Sequence, residues 1–172
     1  VAGDVFATAP TSLLLLHPPK DEQLPPGPIK PASYQTIVVP LDGSEPSKRA
    51  LERATTLAQD CQASLLLIAP LPTHLLEEEV LVDDIVEPVQ KGPEYEEKKR
   101  ADFLESQAEE LRASTGLSVE TAVAVGAPES FIERFFGKHQ QHMLIVTTRE
   151  QAERKVMSFL HRSNAPVLFL HG

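Results

Sequence analysis

The chain has 172 residues, of which 16 are Lys or Arg and 25 are Asp or Glu, and its formal net charge is -9 at pH 7. A net negative charge opposes binding to nucleic acid or to an anionic membrane surface. No apolar run approaches the roughly 20 residues that a bilayer-spanning helix needs. The hydrophobic fraction, 41%, is that of ordinary globular proteins, so we expect one folded domain with an extension.

The chain begins with a segment whose pattern returns at its other end. Residues 1–17 lead through an Ala-Pro pair to the aliphatic run Leu13–Leu16 and then to a histidine. Residues 156–172 repeat that order, with Val167–Leu170 as the aliphatic run. The repeat predicts that residues 1–17 are the last helix and strand of a preceding copy of the same domain. Residues 18–33 are rich in proline and predict an extended linker.

From residue 34 to residue 172, strand and helix signals alternate as they do in a parallel sheet that helices cover on both faces. The predicted strands are Thr36–Leu41, Ser64–Ala69, Ser118–Val125, Met143–Thr147 and Val167–His171. Four helices are predicted. The first follows Ser44, the second spans about 93–114, the third holds the phenylalanines within 131–136, and the fourth spans 151–163. We therefore predict an α/β domain with a three-layer, doubly wound, five-stranded parallel sheet.

Two of these helices carry apolar stripes that predict which side chains are buried. In the first helix, Cys61 lies on such a stripe, so we expect a buried thiol rather than a reactive one. In the second, the stripe is Ala101, Leu104, Ala108 and Leu111. A single cysteine cannot close an intramolecular disulfide, which favours a cytoplasmic location.

Four stretches of the sequence resemble the universal stress protein family. They are IVVPLDGSEPSKRALERATTLA (37–58), VAVGAPESFIERF (123–135), LIVTT (144–148) and NAPVLFL (164–170). The most specific element is a hydrophobic-Pro-hydrophobic-Asp-Gly-Ser run before an Ala-rich helix.

The resemblance implies an adenine-nucleotide α-hydrolase-like fold and pairing of two domains, within one chain or as a homodimer, through their last strands. Leu13–Leu16 would then lie antiparallel beside Val167–Leu170 and cover an aliphatic sheet edge that would otherwise invite aggregation.

Many members of this family bind ATP, and some do not. The resemblance implies that ribose and adenine would lie against Pro40, Leu41 and Asp42 after the first strand, and against Ala69 or Pro70 at the end of the second. An aspartate before a glycine also suits a plain turn, through hydrogen bonds from its own carboxylate. Both roles of Asp42 remain open from the sequence.

In nucleotide-binding members, a glycine-rich stretch after the fourth strand holds the phosphates. Here that stretch reads VTTREQAERKVMSFL (146–160), and no glycine lies between Lys138 and His171. Bulky residues keep backbone N–H groups from approaching a phosphate closely, although Thr147, Thr148 and Arg149 offer hydroxyls and a cation. We therefore expect a degenerate site without a resident cofactor; the alternative is an ATP- or AMP-binding stress sensor that uses Asp42.

The sequence gives no positive sign of catalysis or of a metal site. Ser44 lacks the G-x-S-x-G pattern of a hydrolase nucleophile. The acidic segment 77–87 does not match a calcium-binding loop, and His139 with His142 supplies fewer ligands than zinc requires. We expect a non-enzymatic, cytoplasmic stress-response protein; a second alternative is the soluble regulatory domain of a cation/proton antiporter.

Overall fold

The computed structural model describes residues 11–15, 34–71, 93–125, 143–148 and 166–171. Its elements are β1 (Leu13–Leu15), β2 (Thr36–Pro40), α1 (Glu45–Cys61), β3 (Ser64–Leu71), α2 (Pro93–Thr115), β4 (Val119–Val125), β5 (Met143–Thr148) and β6 (Val167–Leu170). The helices predicted within 1–17, at 131–136 and at 151–163, and the linker 18–33, lie outside the described residues.

The strands form one six-stranded sheet in the order β1-β6-β5-β2-β3-β4. Strands β2 to β6 run parallel to one another, whereas β1 runs antiparallel to β6. The structure thus confirms the predicted α/β class, the five-stranded parallel sheet and the antiparallel strand at its edge.

Strand β3 shows why the sequence predicts a parallel sheet. Leu65 and Leu67 belong to the hydrophobic core that also holds α1 and α2 residues. Leu66 points to the opposite face and is equally buried, because successive side chains of a strand alternate between faces. A strand that is buried on both faces reads as a continuous aliphatic run.

Helix α1 follows its predicted apolar stripe except at its last residue. Of the predicted stripe Ala50, Ala54, Leu57 and Cys61, the two alanines are fully buried, and Leu57 is half-buried and packs against the core. Cys61, however, is exposed, so the prediction of a buried thiol is wrong. Cys61 is the last residue of α1 and lies at the end of the sheet where β3 begins, so little of the sheet remains to cover it.

Helix α2 packs on β3 and β4 through Leu104 and Ala108, which are fully buried. Ala101, which the sequence places on the same face, is exposed, and that prediction is also wrong. A helix of 23 residues is about 35 Å long, whereas β4 with 7 residues spans only about 23 Å. The first turns of α2 therefore extend beyond the sheet. In the described part of the chain, no helix combines the length and the apolar character that a membrane crossing requires.

Candidate functional site

The candidate site lies at the carboxyl ends of β2 and β5. Between these two strands, the direction in which the chain adds strands to the sheet reverses. The chain proceeds from β2 to β3 and β4 on one side, and β5 and β6 lie on the other side of β2. In doubly wound sheets, ligands bind in the crevice outside the strand ends at such a reversal.

Pairing between β2 and β5 stops before either strand ends. The parallel register runs from Thr36↔Met143 to Val38↔Ile145. Beyond that point Val39 and Pro40 pair only with β3 on the opposite side, while β5 continues along β6. The backbone pairing of the two strands therefore ends short of their carboxyl ends, at the place where doubly wound sheets hold their ligands.

Pro40 gives a physical reason for the end of this pairing. The N–H of Leu41 donates to the carbonyl of Ile68 on β3 at 2.7 Å. Because successive amides of a strand point to opposite neighbours, the amide at position 40 faces β5. Proline has no N–H to donate there, so the ladder loses its next bond to β5.

Pro70 has the corresponding effect on the other side of β2. The carbonyl of Ile68 faces β2, so the amide two residues later faces β2 as well, and Pro70 cannot donate from it. The end of β2 thus lacks one N–H donor in the ladder on each side, although the N–H of Leu41 still bonds to β3, and the chain turns at Leu41–Asp42. On β3, Ala69 lies between Ile68 and Pro70, and its side chain is buried in the core.

Asp42 organises the turn that follows β2. Its Oδ1 accepts hydrogen bonds from the backbone N–H of Ser44 at 3.0 Å and from the Ser44 hydroxyl at 2.6 Å. Gly43 between them has φ = +81°, a left-handed conformation that glycine adopts without steric cost. The turn role that the sequence allows for Asp42 is therefore present.

Ser44 links this turn to helix α1. It is the N-cap residue of α1, and its side chain accepts a hydrogen bond from the N–H of Ser47 at 3.4 Å. The Ser47 hydroxyl, which is buried, donates to the Ser44 carbonyl at 2.8 Å. Serine before a helix is a preferred N-cap residue, so the sequence indicates this role. The hydrogen bond from the Ser44 hydroxyl to Asp42 is an additional contact, and the sequence signal for it is the Asp42-Gly43 turn.

These contacts set the charge state of Asp42. Partial burial alone would raise the pKa of its carboxyl, but the hydrogen bonds from the Ser44 side chain and backbone outweigh burial and lower the pKa below its usual value. Asp42 is therefore ionised at neutral pH. An ionised carboxylate has several acceptor sites and can accept a further hydroxyl.

The two threonines at the end of β5 lie on opposite faces of the sheet. Thr148 shares the face of Leu144 and Val146, which are part of the core under α1, and Thr147 points the other way. Their side chains are 1% and 0% exposed, respectively. Two buried hydroxyls on opposite faces do not converge on one phosphate. Arg149 lies outside the described residues.

Metal ligands do not gather in the described ranges. There, no group of three or more His, Cys, Asp or Glu side chains is close enough to bind a metal ion. The acidic segment 77–87 and the pair His139 and His142 lie outside those ranges.

A cavity of about 580 Å³ lies at the opposite end of the sheet. It is lined by Gln35, Gln59, Gln62, Ala63, Ser64, Thr115, Gly116, Leu117 and Ser118. These residues precede β2, β3 and β4, so the cavity is remote from Asp42. The region at the carboxyl ends of β2 and β5 remains the candidate site because the strand topology and the Asp42 turn converge there.

Several solved structures with a similar fold are universal stress proteins. The UspA protein from Lactobacillus plantarum is 20% identical, with a TM-score of 0.58, over 80% of this chain and 98% of that one. A universal stress protein in complex with cAMP is 20% identical, with a TM-score of 0.54, over 80% and 97%. A universal stress protein from Archaeoglobus fulgidus in complex with dAMP is 19% identical, with a TM-score of 0.53, over 80% and 98%.

At these identities the structural likeness establishes the fold alone. No curated protein sequence matches the chain. The family model for the universal stress proteins, however, matches residues 33–171, which is nearly all of the chain after the predicted linker. The chain therefore belongs to the universal stress protein family.

Proposed function

We propose that this chain is a non-catalytic stress-response protein that acts through pairing of two domains of this kind, with a degenerate nucleotide site and no resident cofactor. In this proposal, residues 1–17 are the end of a preceding domain, residues 18–33 are a linker, and residues 34–172 are the second domain. The observation that carries it is the pairing of β1 with β6.

The register of that pairing fits two equivalent strands. Aligning the two Leu-His pairs of the sequence repeat makes Leu14 equivalent to Leu168. In the structure Leu14 lies opposite Leu168, flanked by Leu13↔Phe169 and Leu15↔Val167. Two equivalent antiparallel strands that are paired at equivalent residues have a local two-fold axis between them, as at an isologous interface.

Strand β1 also has an outer side that is ready for further pairing. The N–H of Ile145 donates to the carbonyl of Pro166 at 3.0 Å, so Leu168 bonds toward β5, and Val167 and Phe169 bond toward β1. Leu13 and Leu15, which lie opposite them, bond inward, and the backbone of Leu14 faces outward.

The side chain of Leu14 is 51% exposed. Among the described residues, none bonds to the outward N–H and C=O of Leu14. The remaining strands of a preceding domain would pair with this backbone and cover this side chain.

The coding sequence upstream of Val1 tests the tandem arrangement. The proposal expects a further domain of the same family there, and hydrogen exchange at the Leu14 amide that is slower in the longer protein than in this chain. A run of transmembrane helices upstream would replace the proposal with the antiporter alternative. Any other upstream sequence without this domain would refute the tandem arrangement.

The proposal of a degenerate site rests on the residues at and after the carboxyl end of β5. The stretch that would hold phosphates lacks glycine, and the hydroxyls of Thr147 and Thr148 point to opposite faces. Without close backbone N–H groups, a polyphosphate loses its most pre-organised donors.

The second candidate function is an adenine-nucleotide sensor. The reversal of the strand order at β2 and the ionised Asp42 support it, because a carboxylate can accept a ribose hydroxyl. Two of the similar solved structures hold cAMP or dAMP. The ligand would contact Pro40, Leu41, Asp42, Ala69 and Pro70, with phosphate contacts from Thr147, Thr148 or Arg149 that do not depend on glycine.

Native mass spectrometry of freshly purified protein separates the two candidates. The degenerate site predicts a mass without nucleotide, and titration with AMP and ATP that shows no saturable binding. A co-purified nucleotide whose binding is lost in Asp42→Asn, but kept in the surface control Asp60→Asn, would establish the sensor instead.

A further inference from the structure

Strand β4 forms the edge of the sheet opposite β1, and half of its backbone groups face outward. The N–H of Leu65 donates to the carbonyl of Ser118 at 2.9 Å. In the parallel register, the even-numbered residues of β4 therefore bond to β3. The odd-numbered residues Val119, Thr121 and Val123 present their N–H and C=O groups to the outside.

One arginine covers the first of these outward groups. The Nε and Nη2 atoms of Arg112 donate to the Val119 carbonyl at 3.0 and 2.5 Å. Nη1 donates to Glu105 Oε1 at 2.5 Å, and the Thr121 hydroxyl donates to Glu105 Oε2 at 3.1 Å. The cap ends there: among the described residues, nothing bonds to the outward backbone groups of Thr121 and Val123.

The charge beside this edge is negative. Glu105 lies over Thr121, and Asp102, Glu109 and the exposed Lys98 share its side of α2 by helical spacing. Glu120 is exposed on the strand itself. Arg112 is already paired with Glu105. On this side of α2, Asp102 and Glu109 then face one further cation, Lys98, so carboxylates are in excess.

We propose that the outward edge of β4 from Thr121 to Val125 binds an extended basic peptide as an added strand. Unpaired N–H and C=O groups on an edge strand are a template for pairing, and strand addition uses the main chain for affinity and side chains for specificity. Lysine or arginine side chains on one face of the added strand would meet the acidic side of α2, and those on the other face would meet Glu120.

The charge distribution favours this occupant over a second copy of the chain. Pairing of two β4 edges would bring Glu105, Glu120 and their equivalents in the other copy close together, and such like-charge contacts are unfavourable. The proposal is independent of the nucleotide site and of the β1–β6 pair, so it can fail without affecting the proposed function.

A short fluorescent peptide of alternating Lys and Val provides the test with the full chain. We expect saturable binding by fluorescence anisotropy and shifts of the Thr121 and Val123 amide signals. A matched peptide with N-methyl groups on every interior amide keeps its charge but has no N–H donor on either edge, and it should bind at least about tenfold more weakly, as expected from the loss of one or two hydrogen bonds. A Glu-Val peptide should not bind.

Two variants of the same residue separate the backbone from the side chain. Val123→Pro removes an outward N–H that the β3 ladder does not use, which an edge strand tolerates, and it should weaken peptide binding by a similar factor. Val123→Thr keeps the N–H and should bind like the unaltered chain. Should Val123→Pro fail to fold, the N-methylated peptide on the unaltered chain still tests whether binding depends on main-chain hydrogen bonds.

Three results would overturn the proposal. They are no saturable binding of the Lys-Val peptide, equal binding of the N-methylated peptide, and normal binding by folded Val123→Pro. Concentration-dependent dimers that disappear in Val123→Pro would show that a second copy, rather than a basic peptide, occupies the edge.

Discussion

The two edges of the sheet are protected in different ways. At one edge, β1 covers β6 with a complete antiparallel strand, Leu13–Leu15. At the other, β4 has a helix over one face and a single arginine on one carbonyl. A covering strand moves the open edge outward to Leu14, whereas Arg112 leaves most of the β4 edge available. The two edges therefore leave different backbone groups available for pairing, those of Leu14 at one edge and those of Thr121 and Val123 at the other.

The largest effect is expected where α2 is anchored over the β4 edge. Leu104→Ala removes a fully buried side chain and should lower the free energy of unfolding by about 3 kcal/mol, since it leaves a cavity. Phe103→Ala, on the neighbouring and 36% exposed residue, should cost less although it removes more atoms. Urea denaturation measures both, and equal losses would mean that Leu104 does not anchor α2.

A smaller effect is expected from detaching β1. Leu13→Pro removes an N–H that faces β6 and should lower the free energy of unfolding by about 1–2 kcal/mol. The matched change Leu14→Pro removes an outward N–H and should cost little. Hydrogen exchange at the Phe169 amide should accelerate only in Leu13→Pro, together with association of the newly exposed β6 edges. Similar behaviour of the two variants would refute the assignment of inward and outward groups.

Removal of the cap on β4 should have a still smaller effect. Arg112→Ala leaves the Val119 carbonyl without its donor and should cost about 1 kcal/mol, because the side chain is 39% exposed and water replaces part of the interaction. The signature is faster hydrogen exchange in β4, without release of β1. Arg53→Ala on the exposed surface of α1 is the control, and a change in β4 exchange there would argue against a specific cap.

Local sequence signals predict most of this fold. The aliphatic run of β3 and the Asp42-Gly43-Ser44 turn are each encoded by adjacent residues, and the structure has both. The prediction for Cys61 is wrong because the helical period gives a direction around the helix but not where the sheet beneath it ends. The prediction for Ala101 is wrong for the same reason at the other end of the sheet.

Features that depend on register between distant segments are not predictable from local signals. That Pro40 ends the pairing of β2 with β5 follows only from knowing which neighbour its amide faces. The contact of Arg112 with Val119 requires the register of β4 on β3 and the position of α2 above them. The candidate site is therefore predictable as a location, by its aspartate and its missing glycines, but its geometry is not.

The smallest effect is expected from a fall in pH, which should weaken the β4 edge more than the β1–β6 pair. The hydrogen bonds from Arg112 and then from Thr121 lower the pKa of Glu105 below its ordinary value of 4.5. Because the folded pKa lies below the unfolded one, ionised Glu105 stabilises the folded state at neutral pH, and this contribution is lost as the pH falls through 4.5 and then through the lower folded value. After correction for intrinsic exchange, protection of the β4 amides should decrease with acid, and Glu105→Gln should abolish this dependence. The β1–β6 pair consists of apolar side chains, so protection at Phe169 should change less; an equal acid response at both edges would show that the Glu105 contacts do not secure β4.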